Sequence, residues 1–169
     1  MSDLSAIAAI STPLGTGGVG IIRISGKNAT EIADRIFVSV NGQKLSSSKG
    51  YRAYFGRIFD GETAVDEVVC LVFRAPHSYT GEDVVEINCH GGVVLLKKIL
   101  RLVLQNGAQA AAPGEFTKRA FLNGKLDLSE AESVMTLISA QGEQGANAAF
   151  NQLEGSLSRK IEKINSSLL

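Results

Sequence analysis

The pattern of apolar residues changes once along the chain, near residue 113. Up to that point, short apolar runs alternate with glycine, proline and serine clusters, which is typical of strands joined by turns. Asp60-Gly61 between two alternating runs is a strong signal for a hairpin. The predicted strands cover residues 6–10, 21–24, 51–59, 64–73, 84–89 and 108–112.

Two helices are predicted among these strands. Asn28 and Glu31 have the spacing of a capping box, and apolar residues follow at helical spacing, which predicts a helix over 28–38. Residues 93–105 carry a continuous apolar face and precede Asn106-Gly107, a typical helix C-terminus. Residues 41–50 are rich in serine, lysine and glycine and predict an exposed loop.

Beyond residue 113 the helical period dominates. A short helix over 117–122 is predicted to end at Asn123-Gly124, and Ser129 with Glu132 predicts the capping box of a longer helix. One face of that helix carries Leu128, Ala131, Met135 and Ile138. A second helix after Gly142 and Gly145 has an apolar seam that predicts a partner helix, formed by Phe150, Leu153, Leu157, Ile161, Ile164 and Leu168.

Composition narrows the class of protein. Seventeen basic residues balance seventeen acidic ones, so the chain lacks a general nucleic-acid footprint, although a local basic patch remains possible. Cys70 and Cys89 do not make a disulfide scaffold, and their spacing relative to His77 and His90 is not that of a metal site. No signal peptide or bilayer-length apolar run is present, so we expect a cytoplasmic protein.

A glycine-rich loop precedes the second predicted strand. Residues 15–20 match the dinucleotide fingerprint G-x-G-x-x-G, but that motif needs a helix to begin at its third glycine. Here β-branched residues follow, so a strand is predicted and the dinucleotide reading is rejected. Two interpretations remain: a loop joining two strands, or a bare backbone that a flat ligand can approach.

Arg23 and Glu86 are the two charged residues inside predicted strands that most need an explanation. Arg23 lies between isoleucines, so it is either at a solvated edge position or a ligand for an anion. Glu86 is either a solvent-facing strand residue or the first member of a ligand-facing row with Asn88 and His90. A carboxylate can accept two parallel N–H bonds from an amidine-like edge.

Four motifs together resemble one family. They are residues 12–26, 78–83, 86–92 and 113–128, and in this order they are similar to the bacterial tRNA-modification GTPases of the MnmE or TrmE type. The resemblance covers essentially the whole chain and implies an α+β fold: a mixed β-sheet with flanking helices, related to the glycine-cleavage T-protein. It implies a folate-binding and dimerisation domain at 1–118 and the beginning of an α-helical domain at 119–169.

The resemblance also implies function. In the family this region binds 5-formyl-tetrahydrofolate, the one-carbon donor, at a site formed with the second subunit of a homodimer, and the matching residues here are Arg23, Glu86 and Lys125. The whole enzyme uses GTP, Mg²⁺ and K⁺ to modify the wobble uridine of tRNA together with the FAD protein MnmG (GidA). The motif G-x-x-x-x-G-K-[ST] is absent, so this segment should not hydrolyse GTP, and we expect a piece of a longer protein.

A second hypothesis remains open. The chain could be a dimerisation or interaction module without a small-molecule ligand, and the two hypotheses differ in whether Arg23, Glu86 and Lys125 bind one ligand. In the stretch 113–128, Glu115, Lys118 and Arg119 are predicted to form a solvated boundary between sheet and helices.

Overall fold

A computed structural model describes residues 5–155 of the chain. The chain divides into two compact units, Met1–Pro113 and Gly114–Leu169. The strands and α-helices of the first unit are β1 (Ile7–Ile10), β2 (Gly20–Ser25), α1 (Ala29–Asp34), β3 (Phe37–Ser39), β4 (Arg52–Asp60), β5 (Thr63–Phe73), β6 (Val84–Cys89), α2 (Val93–Gln105) and β7 (Gln109–Ala110), and a short 3-10 helix covers Leu45–Ser47.

The strands of the first unit form one seven-stranded sheet in the order β3-β4-β5-β6-β2-β1-β7. Neighbouring strands run antiparallel except β1 and β7, which are parallel. This mixed sheet with flanking helices confirms the predicted α+β class, and β4 and β5 form the predicted hairpin. None of the helices in the described part of the chain is long and apolar enough to cross a bilayer.

One face of the sheet carries the hydrophobic core. Side chains from alternate positions of the central strands, such as Ile22, Ile24 and Ile87, are wholly buried there. Helices α1 and α2 cover this face, and their buried residues, including Ile32 and Ile99, belong to the same cluster. The alternation along each strand therefore sends the neighbouring residues to the opposite face, the open face of the sheet.

The segment 28–50 differs from its prediction. Helix α1 ends at Asp34, and Phe37–Ser39 pairs with β4 as an edge strand, because β-branched Val38 is compatible with a strand and the ladder supplies its backbone hydrogen bonds. The predicted capping box is wrong: Asn28 is in the left-handed region (φ 64°) and its side chain makes no cap bond. The loop after β3 buries Leu45 completely, and the Asp34 carboxylate accepts the Leu45 and Ser46 N–H groups.

The glycine-rich loop joins two strands, as the rejection of the dinucleotide motif required. Gly20 begins β2, and a Cβ added there would lie 2.6 Å from the Leu96 side chain of α2. A Cβ on Gly91 would lie 2.5 Å from the Gly17 carbonyl oxygen. These glycines therefore allow close packing between the loop, the β6–α2 turn and α2.

The second unit is helical over its described residues. Its helices are α3 (Glu115–Leu122), α4 (Leu128–Ser139) and α5 (Glu143–Leu153). The capping box of α4 is formed by Asp127 and Glu130, two residues earlier than predicted at Ser129 and Glu132. Both pairs have the same spacing, so the sequence alone did not decide between them.

The α4 face predicted to be apolar is exposed in this structure. Leu128, Met135 and Ile138 are 61%, 64% and 74% exposed. Helices α4 and α5 contact each other, and the Gln152 side-chain amide donates to the Ser129 carbonyl and hydroxyl oxygens. The seam residues Leu157, Ile161, Ile164 and Leu168 lie outside the described residues.

The predicted solvated boundary is wrong for Arg119. Its side chain is buried, and its Nη2 lies 3.2 Å from Oε1 of Glu115, one helical turn earlier in α3. A buried guanidinium needs a charged or hydrogen-bonding partner. The pair therefore stabilises the packing of α3 rather than forming a hydrated surface.

Candidate ligand-binding site

The open face of the sheet brings Arg23 and Glu86 together. Arg23 of β2 and Glu86 of β6 are direct cross-strand partners in the antiparallel ladder, so their side chains project from the same face. Since β2 lies between β6 and β1, the interpretation of Arg23 as an edge residue is wrong. The charged pair lies in the interior of the sheet.

The two side chains form a close ion pair. Nε and Nη2 of Arg23 lie 2.8 and 2.7 Å from Oε1 of Glu86, and the side chains are 27% and 16% exposed. Both guanidinium contacts use the same carboxylate oxygen. Among the described residues, Oε2 of Glu86 has no hydrogen-bond donor, so the carboxylate keeps acceptor capacity for a further N–H group.

The loop between β5 and β6 borders this pair. The ring centroid of Tyr79 lies 5.6 Å from Cζ of Arg23, which is within the range of a cation–π contact. The side chains of Ser25 and Thr80 are fully buried, with their hydroxyl oxygens 2.7 Å apart. The Ser25 hydroxyl also donates to Oε2 of Glu82 at 2.7 Å.

Arg74 and Asp83 form an ion pair that joins the two ends of the loop between β5 and β6. The Arg74 guanidinium is paired with the Asp83 carboxylate and donates to the backbone carbonyl oxygens of Ser46 and Ser48. The other oxygen of Asp83 accepts the Ala75 N–H at 2.9 Å. These contacts fix the loop against the segment that follows β3.

The rest of the predicted polar row has partners within the protein. Asn88 lies on the open face and donates from Nδ2 to the Val69 carbonyl oxygen at 3.2 Å. Nδ1 of His90 lies 2.6 Å from Oδ1 of Asp66, whose other oxygen accepts the His90 N–H. Asn88 and His90 thus have side-chain partners of their own, while Glu86 supplies a carboxylate oxygen, Oε2, that accepts from no donor among the described residues.

The two thiols are buried on the covered face. Burial raises the pKa of Cys70 well above its usual range, and burial with the nearby Asp66 carboxylate raises the pKa of Cys89 to about 11. Both thiols are therefore protonated near neutral pH and poor nucleophiles. Within residues 5–155, no three His, Cys, Asp or Glu side chains are grouped closely enough to hold a metal ion.

Lys125 belongs to the second unit, in the turn between α3 and α4. Gly124 before it has φ 69°, and the Lys125 N–H donates to the Ala120 carbonyl oxygen at 2.8 Å. The structure thus pairs two of the three predicted site residues, Arg23 and Glu86, within one unit. The role of Lys125 stays a prediction.

Reasoning from the sequence missed Tyr79 and the hydroxyl pair of Ser25 and Thr80. Tyr79 lies in the motif 78–83, which contributed to the family resemblance but gave this residue no role of its own. Ser25 ends a strand and resembles an ordinary turn residue. Only the fold shows that these residues border Arg23, because no sequence spacing links position 25 to positions 79 and 80.

The fold and the site define an α+β domain built on a seven-stranded mixed sheet. Helices cover one face of the sheet, and the other face carries a charged pair beside the loop that contains Tyr79. A helical unit follows this domain in the chain. Residues 6–125 match the family model described as GTP-binding protein TrmE N-terminus. The match covers more than half of the chain, and the chain belongs to this family.

Similar proteins extend over the whole chain. The chain is 52% identical over 165 residues to the tRNA modification GTPase MnmE of Alkaliphilus metalliredigens, covering 96% of the chain and 36% of that protein. It is 50% identical over 171 residues to the protein of the same name from Geobacillus kaustophilus, covering 100% and 37%. The Bacillus subtilis protein is 48% identical over 168 residues, covering 98% and 37%. The chain therefore spans little more than a third of these relatives.

Proposed function

We propose that this chain is the reduced-folate-binding and dimerising part of a cytoplasmic GTPase that modifies the wobble uridine of tRNA, position 34, with a carboxymethylaminomethyl-type group. The relatives' shared name, tRNA modification GTPase MnmE, supports this proposal. In this scheme 5-formyl-tetrahydrofolate is the one-carbon donor and MnmG the FAD-containing partner. GTP, Mg²⁺ and K⁺ bind in parts of the enzyme beyond this chain.

The observation that carries the folate proposal is the pair of Arg23 and Glu86 in the interior of the open face. A half-buried carboxylate with one oxygen available is suited to the N–H edge of a pterin, since charge-assisted hydrogen bonds are strong. The guanidinium beside it is suited to carbonyl or carboxylate oxygens. We propose Lys125 as the third folate-binding residue, a cation for the anionic part of the ligand.

Calorimetric titration of the 169-residue chain with 5-formyl-tetrahydrofolate tests this function. Glu86→Gln should weaken binding roughly 10- to 100-fold, because a hydrogen bond to a charged group contributes about 1.5–3 kcal/mol. Glu67→Gln is the matched control on the same face: Glu67 is paired with Arg57 at an exposed position, and its variant should bind as the parent does. Parent-like affinity of Glu86→Gln would contradict the site.

The same titration tests Lys125. Lys125→Ala should weaken binding severalfold, because a cation that neutralises an anionic ligand is removed. Lys118→Ala, an exposed lysine of α3, removes the same charge from the same unit and should have no effect. Equal affinities of the two variants would remove Lys125 from the site and leave Arg23 and Glu86 in place.

The alternative, a dimerisation module without a ligand, is favoured by one observation. Val38, Phe55 and Val69 of the open face are 57%, 51% and 37% exposed, and strand register puts them on the same face. Exposed apolar clusters are typical of interaction surfaces. A chain that dimerises in sedimentation equilibrium but gives no heat with folate would support this alternative.

A further inference from the structure

The position of Tyr79 is fixed from both sides. Before it, the Tyr51 hydroxyl donates to the His77 carbonyl oxygen at 2.7 Å. After it, Thr80 is fully buried against Ser25. Because the single Ser25 proton is donated to Glu82, the Thr80 hydroxyl donates to Ser25. The backbone that carries Tyr79 is therefore held on both sides, although Tyr79 itself is 39% exposed.

Tyr79 and Glu86 lie around one common group, the Arg23 guanidinium. Nη2 of Arg23 is 2.7 Å from Oε1 of Glu86, and Cζ is 5.6 Å from the Tyr79 ring centroid. The carboxylate oxygen and the ring are thus at most about 10 Å apart. A fused two-ring heterocycle whose edge is hydrogen-bonded to the carboxylate can therefore reach the Tyr79 ring.

We propose that Tyr79 is the stacking residue of this site and that the hydrogen-bonded cluster of Ser25, Thr80 and Glu82 positions it. Glu86 recognises the edge of a flat, nitrogen-rich ring, while Tyr79 contacts its face. An aromatic ring adds stacking that tolerates small changes in the substituents of the heterocycle. This assignment rests on the folate function proposed above, and it adds a residue for the ring face.

Fluorescence gives a direct test, because the chain contains no tryptophan. In Tyr79→Trp the aromatic ring is kept and becomes the single indole. Its emission should be quenched saturably by 5-formyl-tetrahydrofolate, with the Kd obtained by calorimetry. Phe59→Trp, at the far end of the β4–β5 hairpin, is the control and should keep its emission over the same titration. Equal quenching of both indoles would overturn the contact.

Affinity separates the ring from the hydroxyl of Tyr79. Tyr79→Phe should bind within about twofold of the parent, whereas Tyr79→Leu should bind about tenfold more weakly, since base–aromatic stacking is lost. Urea midpoints of both variants show whether they remain folded. A folded Tyr79→Leu variant with parent affinity, alongside a weak Glu86→Gln, would overturn the role of Tyr79 and leave the folate proposal standing.

The positioning cluster has its own variants. Thr80→Ser keeps the buried hydroxyl and should retain parent affinity, whereas Thr80→Val removes it and should weaken binding about three- to tenfold. Thr80→Val in the Tyr79→Trp background should also lose part of the ligand quenching. Unchanged affinity and quenching in Thr80→Val would overturn the positioning role. No heat from the parent chain would overturn the folate function itself, and the assignment of Tyr79 with it.

Discussion

The two faces of the sheet use the same strands for different purposes. On the covered face, Ile22, Ile87 and their neighbours are wholly buried beneath α1 and α2. On the open face, at adjacent positions of the same strands, Arg23 and Glu86 form a partly buried ion pair. Each strand therefore contributes alternately to the core and to the candidate site.

This comparison shows how the site obtains its rigidity. The register of the hydrogen-bonded strands fixes which residues are opposite each other in the interior of the sheet. That register is itself fixed by the close packing of the covered face. Arg23 is directly opposite Glu86 because Ile22 and Ile24, its neighbours, are fixed in the core. A ligand site with this support needs little reorganisation to bind.

The largest difference should appear when equivalent side chains on the two faces are shortened. Ile87→Ala should lower the free energy of unfolding by about 2–5 kcal/mol, because it leaves a cavity in the core. Ile21→Ala, on the partly exposed open face, should cost less than half as much. Urea denaturation of both variants measures this. Equal losses would show that the open face is as closely packed as the covered one.

The second-largest effect is expected at alkaline pH, which should lower the free energy of unfolding through the buried thiols of the covered face. Burial and the nearby Asp66 carboxylate raise the pKa of the Cys89 thiol from its ordinary value of 9.0 to about 11. Between these values the native state binds more protons, so stability should fall as pH rises, by at most about 1.4 kcal/mol per pH unit for this thiol. Burial raises the pKa of Cys70 in the same direction.

Urea unfolding at pH 7, 9 and 10 measures this dependence, with a Cys70→Ala, Cys89→Ala double variant as the control. The variant should lose less stability than the parent over the same pH range, since tyrosines and lysines titrate in both. Identical pH profiles would contradict a thiol contribution.

The smallest effect should come from an exposed charged pair on the open face. Arg57 and Glu67 are paired at 2.7 Å, but their side chains are 58% and 52% exposed. Surface pairs of this kind contribute about 0.2–1 kcal/mol. Glu67→Gln should therefore change the urea midpoint only slightly, and by less still in 0.5 M salt. A loss as large as that of Ile87→Ala would mean that the pair is buried in solution.

Much of the fold could be predicted because its signals are local. The hairpin at Asp60-Gly61 and the helix Val93–Gln105 follow from turn chemistry and from one continuous apolar face, and both are confirmed. The prediction of one helix over 28–38 was wrong because part of this segment depends on a contact that is distant in sequence. Its second half has strand-compatible residues whose fate depends on β4, which lies more than ten residues later.

The candidate site was predictable in its charged members only. A lone Arg or Glu within an apolar strand stands out, because burying a charge is costly without a partner. Tyr79 and Thr80 have no such local signal. Their position beside Arg23 follows from the loop between β5 and β6 and from the buried contact with Ser25.

The sequence by itself determined the class of fold, the strands that carry Arg23 and Glu86, and the resemblance to one family. These follow from hydrophobic periodicity and from motifs, which are local properties of the chain. The tertiary structure alone decided that the two charges are cross-strand partners and that an aromatic ring borders them. It also decided that Arg119 is buried rather than solvated. The physical reason is that register and burial depend on contacts between segments that are distant in sequence.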